Sequence, residues 1–286
     1  MAPLISLLLP TRGRPEWARR FMESVLVQAS QPDSVEVVLC IDEDDSDSHD
    51  LDYPGLKTVK IIGPRNTMGA LNTACLNASQ GDIVILVNDD MVIRTKGWDD
   101  IIRELDAGIE DKIYLAYGND LYKGEKLCAF PILSRRTCEL LVEPFPAVYK
   151  GAFIDYHLLD IFRRLEQAGY GRIHYLEHVI FEHLHFRSGK AEQDKTYRER
   201  SRFGDDGAFL ALCDYRSAAS LCLISAIRGI SVARLTRAPS VSLVISFTQI
   251  IFGNVRRLLL DGGLPASWRI YLYIWFAGRY VAGKIS

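Results

Sequence analysis

Three short segments bring together side chains that could bind a metal ion or a phosphate. Asn88-Asp89-Asp90 follows the apolar run Ile83 to Val87, the acidic cluster Asp42 to Asp45 follows a second apolar run, and Glu182-His183-Leu184-His185 ends a third. Hard divalent cations prefer carboxylate and amide oxygens as ligands. Alternate residues of an extended strand share one face, so the two histidines would lie side by side. These segments predict a divalent-cation site that also holds a diphosphate.

Each segment also has an ordinary structural interpretation. Asn and Asp are common in the turns that follow strands, and two histidines at a strand end can simply belong to the protein surface. Asp155 and Asp160 lie at the start of a predicted helix that ends near Gly169. A carboxylate there caps the helix or interacts with its dipole, whereas in a cleft it could act as a general base. The residues alone leave these alternatives open.

The elements that must position these side chains alternate between strand and helix. Apolar runs of strand length alternate with helical periodicity, which begins with Trp17, Phe21 and Val25; the runs are 5–9, 35–41, 58–62 and 83–87. This alternation is typical of a mostly parallel sheet covered by helices, an α/β fold. In such sheets ligands bind beyond the carboxyl ends of the strands, and residues 11–14, 42–45 and 88–90 fall at such ends.

The second half of the chain predicts a helix within 151–169, a strand over 173–182 and a polar loop over 187–205. After residue 206 the composition becomes apolar. We therefore expect two regions, an α/β domain over 1–215 and a helical, apolar and basic extension over 216–286.

Charge is divided unevenly between these two regions. The 286 residues carry a formal net charge of −2, which argues against nucleic acid as a partner. Residues 216–286 contain nine basic residues and one acidic residue, a net charge of +8, so residues 1–215 carry −10. This asymmetry predicts a separate partner for the extension.

Aromatic residues interleave with the basic ones in the extension, at Trp268, Tyr271, Tyr273, Trp275, Phe276 and Tyr280. This composition is typical of a helix that lies at a membrane surface. The apolar stretch 241–252 is too short to span a bilayer, which needs about 20 residues. A contact between copies of the chain, or a buried helical subdomain, stays open as an alternative.

Six cysteines show neither a CxxC pair nor metal-finger spacing, which favours a reducing compartment. Together with the extension, this predicts a cytoplasmic protein at the inner face of the cell membrane.

The motifs of the first half resemble, in order, those of GT-A fold glycosyltransferases of the large family 2 type. Three later segments, 182–186, 189–191 and 194–200, also resemble a subgroup of bacterial and phage GT-A-like proteins. Leu7 to Arg14 resembles the first strand and the nucleotide-binding turn. Val38 to Asp42 resembles the second strand, whose terminal Asp contacts the nucleobase. Asn66 to Gly69, with Asn72, resembles the glycine turn and helix beside the nucleotide.

The later motifs continue this resemblance as far as residue 205. Ile83 to Asp90 resembles the strand with the Asp-x-Asp motif, with Asn88 in place of the first Asp. Asp160 to Gly169 resembles the acceptor-side helix, and Tyr175 to His183 resembles the strand that ends in a metal-binding His.

The resemblance implies a metal-dependent enzyme that moves a sugar from a nucleotide-diphospho sugar, expected to be a UDP-sugar, to an acceptor hydroxyl with inversion. The cation would be Mn²⁺ or Mg²⁺, and the acceptor a saccharide or lipid-linked saccharide in bacterial polysaccharide or glycolipid synthesis. Candidate donor contacts are Pro10, Thr11, Arg14, Asp42, Asp44, Gly69, Asn72, Asn88 and Asp89. Candidate metal ligands are Asp90, His183 and His185, and the candidate bases are Asp155 and Asp160.

One departure from the pattern keeps two other functions open. His157-Leu158 stands where the family has the Glu-Asp pair that supplies the base. A protein that kept the fold for binding or assembly and lost catalysis is therefore one alternative. A sugar nucleotidyltransferase is the other, although the turn Thr11 to Arg14 has a single glycine where such enzymes need a glycine-rich loop.

Overall fold

An eight-stranded mixed sheet organises the protein in the computed structural model, which describes residues 2–185, 189–190, 203–231, 234–239 and 255–285. The strands are β1 (Ile5–Thr11), β2 (Val35–Asp42), β3 (Lys57–Gly63), β4 (Ile83–Leu86), β5 (Met91–Ile93), β6 (Leu115–Asn119), β7 (Ile132–Ser134) and β8 (Ile173–His183). Most of the polar segment 187–205 and all of the apolar stretch 241–252 lie outside the described residues.

The strands are ordered β3-β2-β1-β4-β7-β6-β8-β5. The first four are parallel to one another, β7 is antiparallel to both of its neighbours, and β8 pairs in parallel with β6 and antiparallel with β5. This arrangement confirms the predicted α/β class with a mostly parallel sheet. The carboxyl ends of β1, β2 and β4 meet at one edge, as the sequence predicts.

Helices cover both faces of the sheet. They are α1 (Pro15–Gln28), α2 (Met68–Ala78), α3 (Trp98–Ala107), α4 (Arg135–Leu141), α5 (Ile154–Gln167), α6 (Asp206–Ala211), α7 (Cys213–Ile227) and α8 (Ala266–Ile285), with 3-10 turns at Pro32–Ser34, Ser46–Ser48 and Gly124–Lys126 and a π-helical turn at Val255–Leu259. Leu7 and Leu9 of β1 pack with α1 and α3, whereas Leu8 packs with the helices of the opposite face. This alternation follows from the period of two along a strand.

The C-terminal extension shares a core with the α/β domain. The division expected between residues 215 and 216 falls inside α7. Trp268 and Phe276 of α8 are buried in the same hydrophobic cluster as Leu158 of α5. Within the described stretches, no helix combines the length and the apolar character that crossing a membrane requires.

A buried ion-pair network joins α5, α7 and α8. The Asp160 carboxylate, which has no exposed surface, accepts hydrogen bonds from Arg216 Nε at 2.7 Å and Arg164 Nε at 3.2 Å. It also accepts one from Trp268 Nε1 at 3.0 Å. Arg164 in turn contacts Asp261 at 2.6 Å. A buried charge is tolerated only when it is paired and hydrogen-bonded, and these four contacts meet that condition.

Replacing Asp160 tests how far the extension depends on this network. Asp160→Ala leaves Arg216 without its carboxylate, so we expect a loss of about 3–5 kcal/mol in the free energy of unfolding. Asp214→Ala, at an exposed position of α7, is the matched control and should cost no more than about 1 kcal/mol. Urea unfolding measures both. Equal losses in the two variants would contradict a structural role for Asp160.

Candidate active site

The end of β1 is tied to the end of β4 through Asp89. Thr11 Oγ1 donates to Asp89 Oδ2 at 2.9 Å, and Arg14 Nη1 donates to Asp89 Oδ1 at 3.0 Å. Burial raises the pKa of Asp89 to about 6, while the Arg14 guanidinium acts in the opposite direction. Both carboxylate oxygens are thus engaged, and Asp89 holds Arg14 in place at the strand edge.

A second acidic cluster lies at the end of β2. Arg12 Nη1 donates to Asp42 Oδ2 at 2.8 Å, and Arg12 Nη2 donates to Asp44 Oδ2 at 2.7 Å. The Arg12 guanidinium lowers the pKa of the Asp44 carboxyl. Gly13, whose φ of +64° favours glycine, donates its N–H to Asp45 Oδ2 at 2.7 Å. Arg12 and Gly13 therefore bind the turn after β1 to the acidic cluster. Arg12 was not among the residues predicted from the sequence.

Asp90 and His183 meet because β5 pairs with the end of β8. Met91 is opposite His183 in the antiparallel register, so Asp90 lies beside the last residues of β8. Asp90 Oδ2 is 3.3 Å from His183 Nε2. The His185 ring lies 5.1 Å from the His183 ring, centroid to centroid, and stacks on Tyr122. Asp90 therefore lies beside His183, and His185 lies beside His183, whereas Asn88 is exposed in the turn before Asp90.

The Asp90–His183 pair fits a divalent cation that a ligand helps to hold. His183 Nε2 is buried and makes no hydrogen bond to any described residue. A carboxylate suits Mg²⁺ and Mn²⁺, and neutral imidazole is a common metal ligand. Within the described residues, no group of three or more His, Cys, Asp or Glu side chains could hold a metal ion. Water or ligand oxygens would have to complete the coordination.

Gly69 and Asn72, two predicted donor contacts, lie in α2, where Asn72 Oδ1 is buried without a hydrogen-bond partner among the described residues. Gly69 donates its N–H to Tyr149 O at 2.9 Å, and a Cβ added at Gly69 would lie 2.0 Å from Pro146 O. Asn72 Nδ2 donates to Met68 O at 3.0 Å, and Asn72 is 4% exposed. Gly69 allows close packing of α2 against residues 146–149, and its role at the donor stays a prediction. Pro10 lies within β1, opposite Cys40 of β2.

The two candidate bases on α5 have different surroundings. Asp155 is partly buried in the first turn, where Oδ1 accepts the N–H of Tyr156 at 2.8 Å. Its main-chain oxygen accepts the Cys128 thiol at 3.2 Å. Phe130 lies two residues after Cys128, and its ring packs against the His183 ring with centroids 5.1 Å apart. Residues 128–130 therefore connect the start of α5 to the Asp90–His183 pair.

Asp160 is not placed to act as a base. It has no exposed surface, and three donors from Arg164, Arg216 and Trp268 surround its carboxylate. A general base must reach the proton that it removes, and this carboxylate faces the core. The prediction for Asp160 is corrected to a structural role.

His157 is a core histidine rather than a replacement for a carboxylate base. Its side chain has no exposed surface, and Nδ1 lies 3.0 Å from the Tyr149 hydroxyl. The ring also stacks on Tyr215, with centroids 5.9 Å apart. Burial lowers the pKa of His157 well below its usual value, and the nearby Arg216 lowers it further.

Comparison with known proteins shows the fold of the chain. No protein-family model matches the sequence, and no curated protein matches it either. The chain is similar to the mannosyltransferase from Pyrobaculum calidifontis solved in complex with GDP-Man and Mn²⁺, with 13% identity, a TM-score of 0.52, and coverage of 98% of this chain and 88% of that one. This likeness shows that the chain has the GT-A glycosyltransferase fold, as the motif order implies.

The chain is also similar to glucosyl-3-phosphoglycerate synthase from Mycobacterium tuberculosis, solved with Mn²⁺, UDP-Glc and phosphoglyceric acid. Identity is 15%, the TM-score is 0.48, and the match covers 75% of this chain and 80% of that one.

The buried His157 makes stability depend on pH. Its folded-state pKa is lower than that of the unfolded chain, which is near 6.5, so the unfolded state takes up the proton first as the pH falls. The contribution of neutral His157 to the free energy of unfolding is therefore fully present above pH 6.5. Below that pH we expect the free energy of unfolding to decline, because of this residue, by up to about 1.4 kcal/mol per pH unit.

Urea unfolding between pH 7.5 and 5.5 measures this decline. His157→Phe removes the titrating group and should give a shallower slope than the wild type. His178→Phe, at an exposed position, should keep the wild-type slope. A His157→Phe slope equal to that of the wild type would show that His157 is not the residue responsible.

Proposed function

We propose that the protein is a glycosyltransferase that transfers a sugar from a nucleotide-diphospho sugar to an acceptor hydroxyl with the help of a divalent cation. The observation that carries the proposal is the approach of Asp90 Oδ2 to His183 Nε2, at 3.3 Å, beside the Thr11–Arg14–Asp89 cluster. The GT-A fold of the chain is shared by a mannosyltransferase solved with GDP-Man and Mn²⁺. A cation site next to an arginine held in place by a carboxylate suits a diphosphate.

In this proposal Asp90 and His183 would hold Mn²⁺ or Mg²⁺, with His185 alongside. When bound, the cation neutralises the charge that develops on the leaving diphosphate. Arg14, held by Asp89, supplies a fixed positive charge at the same edge. A preorganised charge of this kind stabilises the transition state without having to reorganise during the reaction.

The proposed nucleobase site lies at Asp42, Asp44 and Arg12. Arg12 Nη1 donates to Asp42 Oδ2 at 2.8 Å, so the Asp42 carboxylate, which is 4% exposed, is held in a fixed orientation at the strand end. A carboxylate acceptor held in this way would suit the N–H group on the pairing edge of uracil, which supports a UDP-sugar. Guanine has the same edge, so binding of UDP, GDP, CDP and ADP must be compared directly.

Asp155 is the proposed base. It is partly buried at the start of α5, and residues 128–130 connect it to His183. A carboxylate there would accept the proton of the acceptor hydroxyl as that oxygen attacks the anomeric carbon. Direct attack of this kind inverts the anomeric centre.

Removal of Asp90 tests the proposed cation site. Addition of Mn²⁺ should tighten the binding of a nucleoside diphosphate to the wild type, and Asp90→Ala should remove that increase because a ligand of the cation is lost. Asp33→Ala, at an exposed position, is the control. Isothermal titration calorimetry with and without Mn²⁺ measures both. A full manganese effect in Asp90→Ala would exclude Asp90 from the site.

Removal of the Asp155 charge tests the base. Asp155→Asn keeps the size of the side chain but cannot take up the proton, so turnover should fall by about two to four orders of magnitude. Donor affinity, measured by calorimetry, should stay at the wild-type value. A turnover rate close to that of the wild type would place the base elsewhere.

We further propose that the extension docks on anionic membrane, where a lipid-linked saccharide would be the acceptor in bacterial polysaccharide or glycolipid synthesis. Ile270, Ile274 and Val281 are 53%, 64% and 57% exposed and lie on one face of α8. Among the described residues of the extension, four arginines are exposed, at positions 228, 234, 237 and 257. Arg216 and Arg279 are paired with Asp160 and Asp206, so fewer cations than the sequence suggests would reach the lipid.

Flotation with vesicles tests this docking. The wild type should float with anionic vesicles and not with neutral ones, since each arginine near such a surface contributes about 1 kcal/mol. Ile274→Glu should reduce flotation, whereas Ala107→Glu, which adds the same charge at an exposed position of α3, should not. Light scattering of the free protein detects the alternative, a contact between copies. A dimeric mass that Ile274→Glu abolishes, with no flotation, would overturn the membrane proposal.

A further inference from the structure

Arg20 of α1 carries a guanidinium group of which two nitrogens lack a hydrogen-bond partner within the part of the chain that the structure describes. Its Nε and Nη2 atoms are buried, and neither meets an acceptor among the described residues. Buried donors are nearly always satisfied, and an unsatisfied one calls for a physical explanation. A bound anion is the partner that such a charged donor fits best.

The position of Arg20 links it to the candidate active site. Arg14 immediately precedes α1, and Trp17 and Arg20 lie three residues apart within it, so the Trp17 and Arg20 side chains are neighbours on the helix surface. The Arg20 Cζ atom lies 4.4 Å from the Trp17 ring centroid, and Arg14 Cζ lies 5.6 Å from the same centroid. Because Arg14 binds Asp89, the shared Trp17 ring places Arg20 at the same edge of the sheet.

The charged groups that interact with Arg20 also belong to the candidate active site and its surroundings. Asp90 attracts its guanidinium more strongly than any other charged group does, and Asp89 and Glu182 add to that attraction. Arg94 opposes it, but Arg94 is itself paired with Glu182 at 2.7 Å. Burial lowers the pKa of Arg20, yet an arginine stays charged at neutral pH. Arg20 is thus an available cation near Asp90.

We propose that Arg20 binds an anionic oxygen of the donor's diphosphate at the Asp90 end of the cleft, an inference that rests on the proposed function. A guanidinium presents parallel N–H groups that match the geometry of a phosphate. Stacking on Trp17 restrains Arg20 before the ligand arrives, so little side-chain freedom is lost on binding. Arg20 thereby supplies binding energy to the diphosphate and not to the nucleoside.

A ligand-binding role and a structural role for Arg20 predict opposite effects on stability. Arg20→Met keeps much of the aliphatic length over Trp17 and removes a buried charge that lacks a hydrogen bond. The unfolding midpoint of the variant without ligand should therefore equal or exceed that of the wild type. If Arg20 were a structural residue, stability would fall together with ligand affinity.

Calorimetry in the presence of Mn²⁺ tests the proposal with UDP and UMP. Arg20→Met should raise the Kd of UDP by about tenfold or more, since a charged hydrogen bond is lost. The Kd of UMP should change by less than about threefold, because the distal phosphate is absent. Arg20→Lys should recover part of the affinity. Arg19→Met is the matched control, because Arg19 pairs with Glu16 at 2.6 Å and should not affect either ligand.

The outcomes separate this inference from the function on which it rests. If the wild type binds no nucleoside diphosphate, the proposed function fails and this inference fails with it. If the wild type binds UDP and Arg20→Met binds it equally well, or loses UDP and UMP affinity by the same factor, the assignment of Arg20 alone is overturned. A lowered unfolding midpoint that accompanies the loss of affinity would also overturn it.

Discussion

The antiparallel pairing of β5 with the end of β8 is the constraint on which the candidate active site depends. β8 first pairs in parallel with β6, and its last three residues then pair with β5. The register irregularity between Gly118 and Asn119 lies where β8 passes from one partner to the other. A Cβ at Gly118 would lie 2.5 Å from Val179 O, so glycine is needed at this crossing. A slip of one residue would turn His183 away from Asp90.

Three arginines lie at the same edge of the sheet, and each is held in place by a different contact. Arg12 is held by Asp42 and Asp44, Arg14 is held by Asp89, and Arg20 stacks on Trp17. In the first two cases a carboxylate balances the guanidinium, so the edge is not strongly repulsive before a ligand arrives. Partly compensated and preorganised cations of this kind suit an anionic ligand that brings its own counter-cation.

The local parts of this arrangement could be predicted from the sequence, because they depend on short-range periodicity. The apolar runs 5–9, 35–41 and 83–87 fall within β1, at β2 and at β4 to within two residues. The argument from strand ends placed residues 11–14, 42–45 and 88–90 at one edge, whereas the pairing of Asp90 with His183 was predicted from the family resemblance. The structural role of Asp160 could not be predicted, because its partners Arg216 and Trp268 lie 56 and 108 residues away in sequence. The packing role of Gly69 likewise depends on the distant Pro146.

Amino-acid composition alone does not predict which residues of the extension are buried and which face solvent. The basic, aromatic character of residues 216–286 suggested a separate surface module. In the structure, Arg216, Trp268 and Phe276 are buried against α5, which also carries Asp155. Charge counts cannot distinguish an arginine that neutralises a buried carboxylate from one that faces solvent. The extension therefore supports the helix that carries the proposed base, in addition to any role at a membrane.

The central claim is that Asp90 and His183 hold the cation that binds the donor's diphosphate. Crystals grown with Mn²⁺ and UDP, with diffraction recorded near the manganese absorption edge, test it most directly. The account predicts one anomalous peak at about 2.0–2.3 Å from both Asp90 Oδ and His183 Nε2, with a diphosphate oxygen completing the coordination. A manganese peak elsewhere with UDP bound, or UDP bound at this edge with no peak between these two residues, would contradict it.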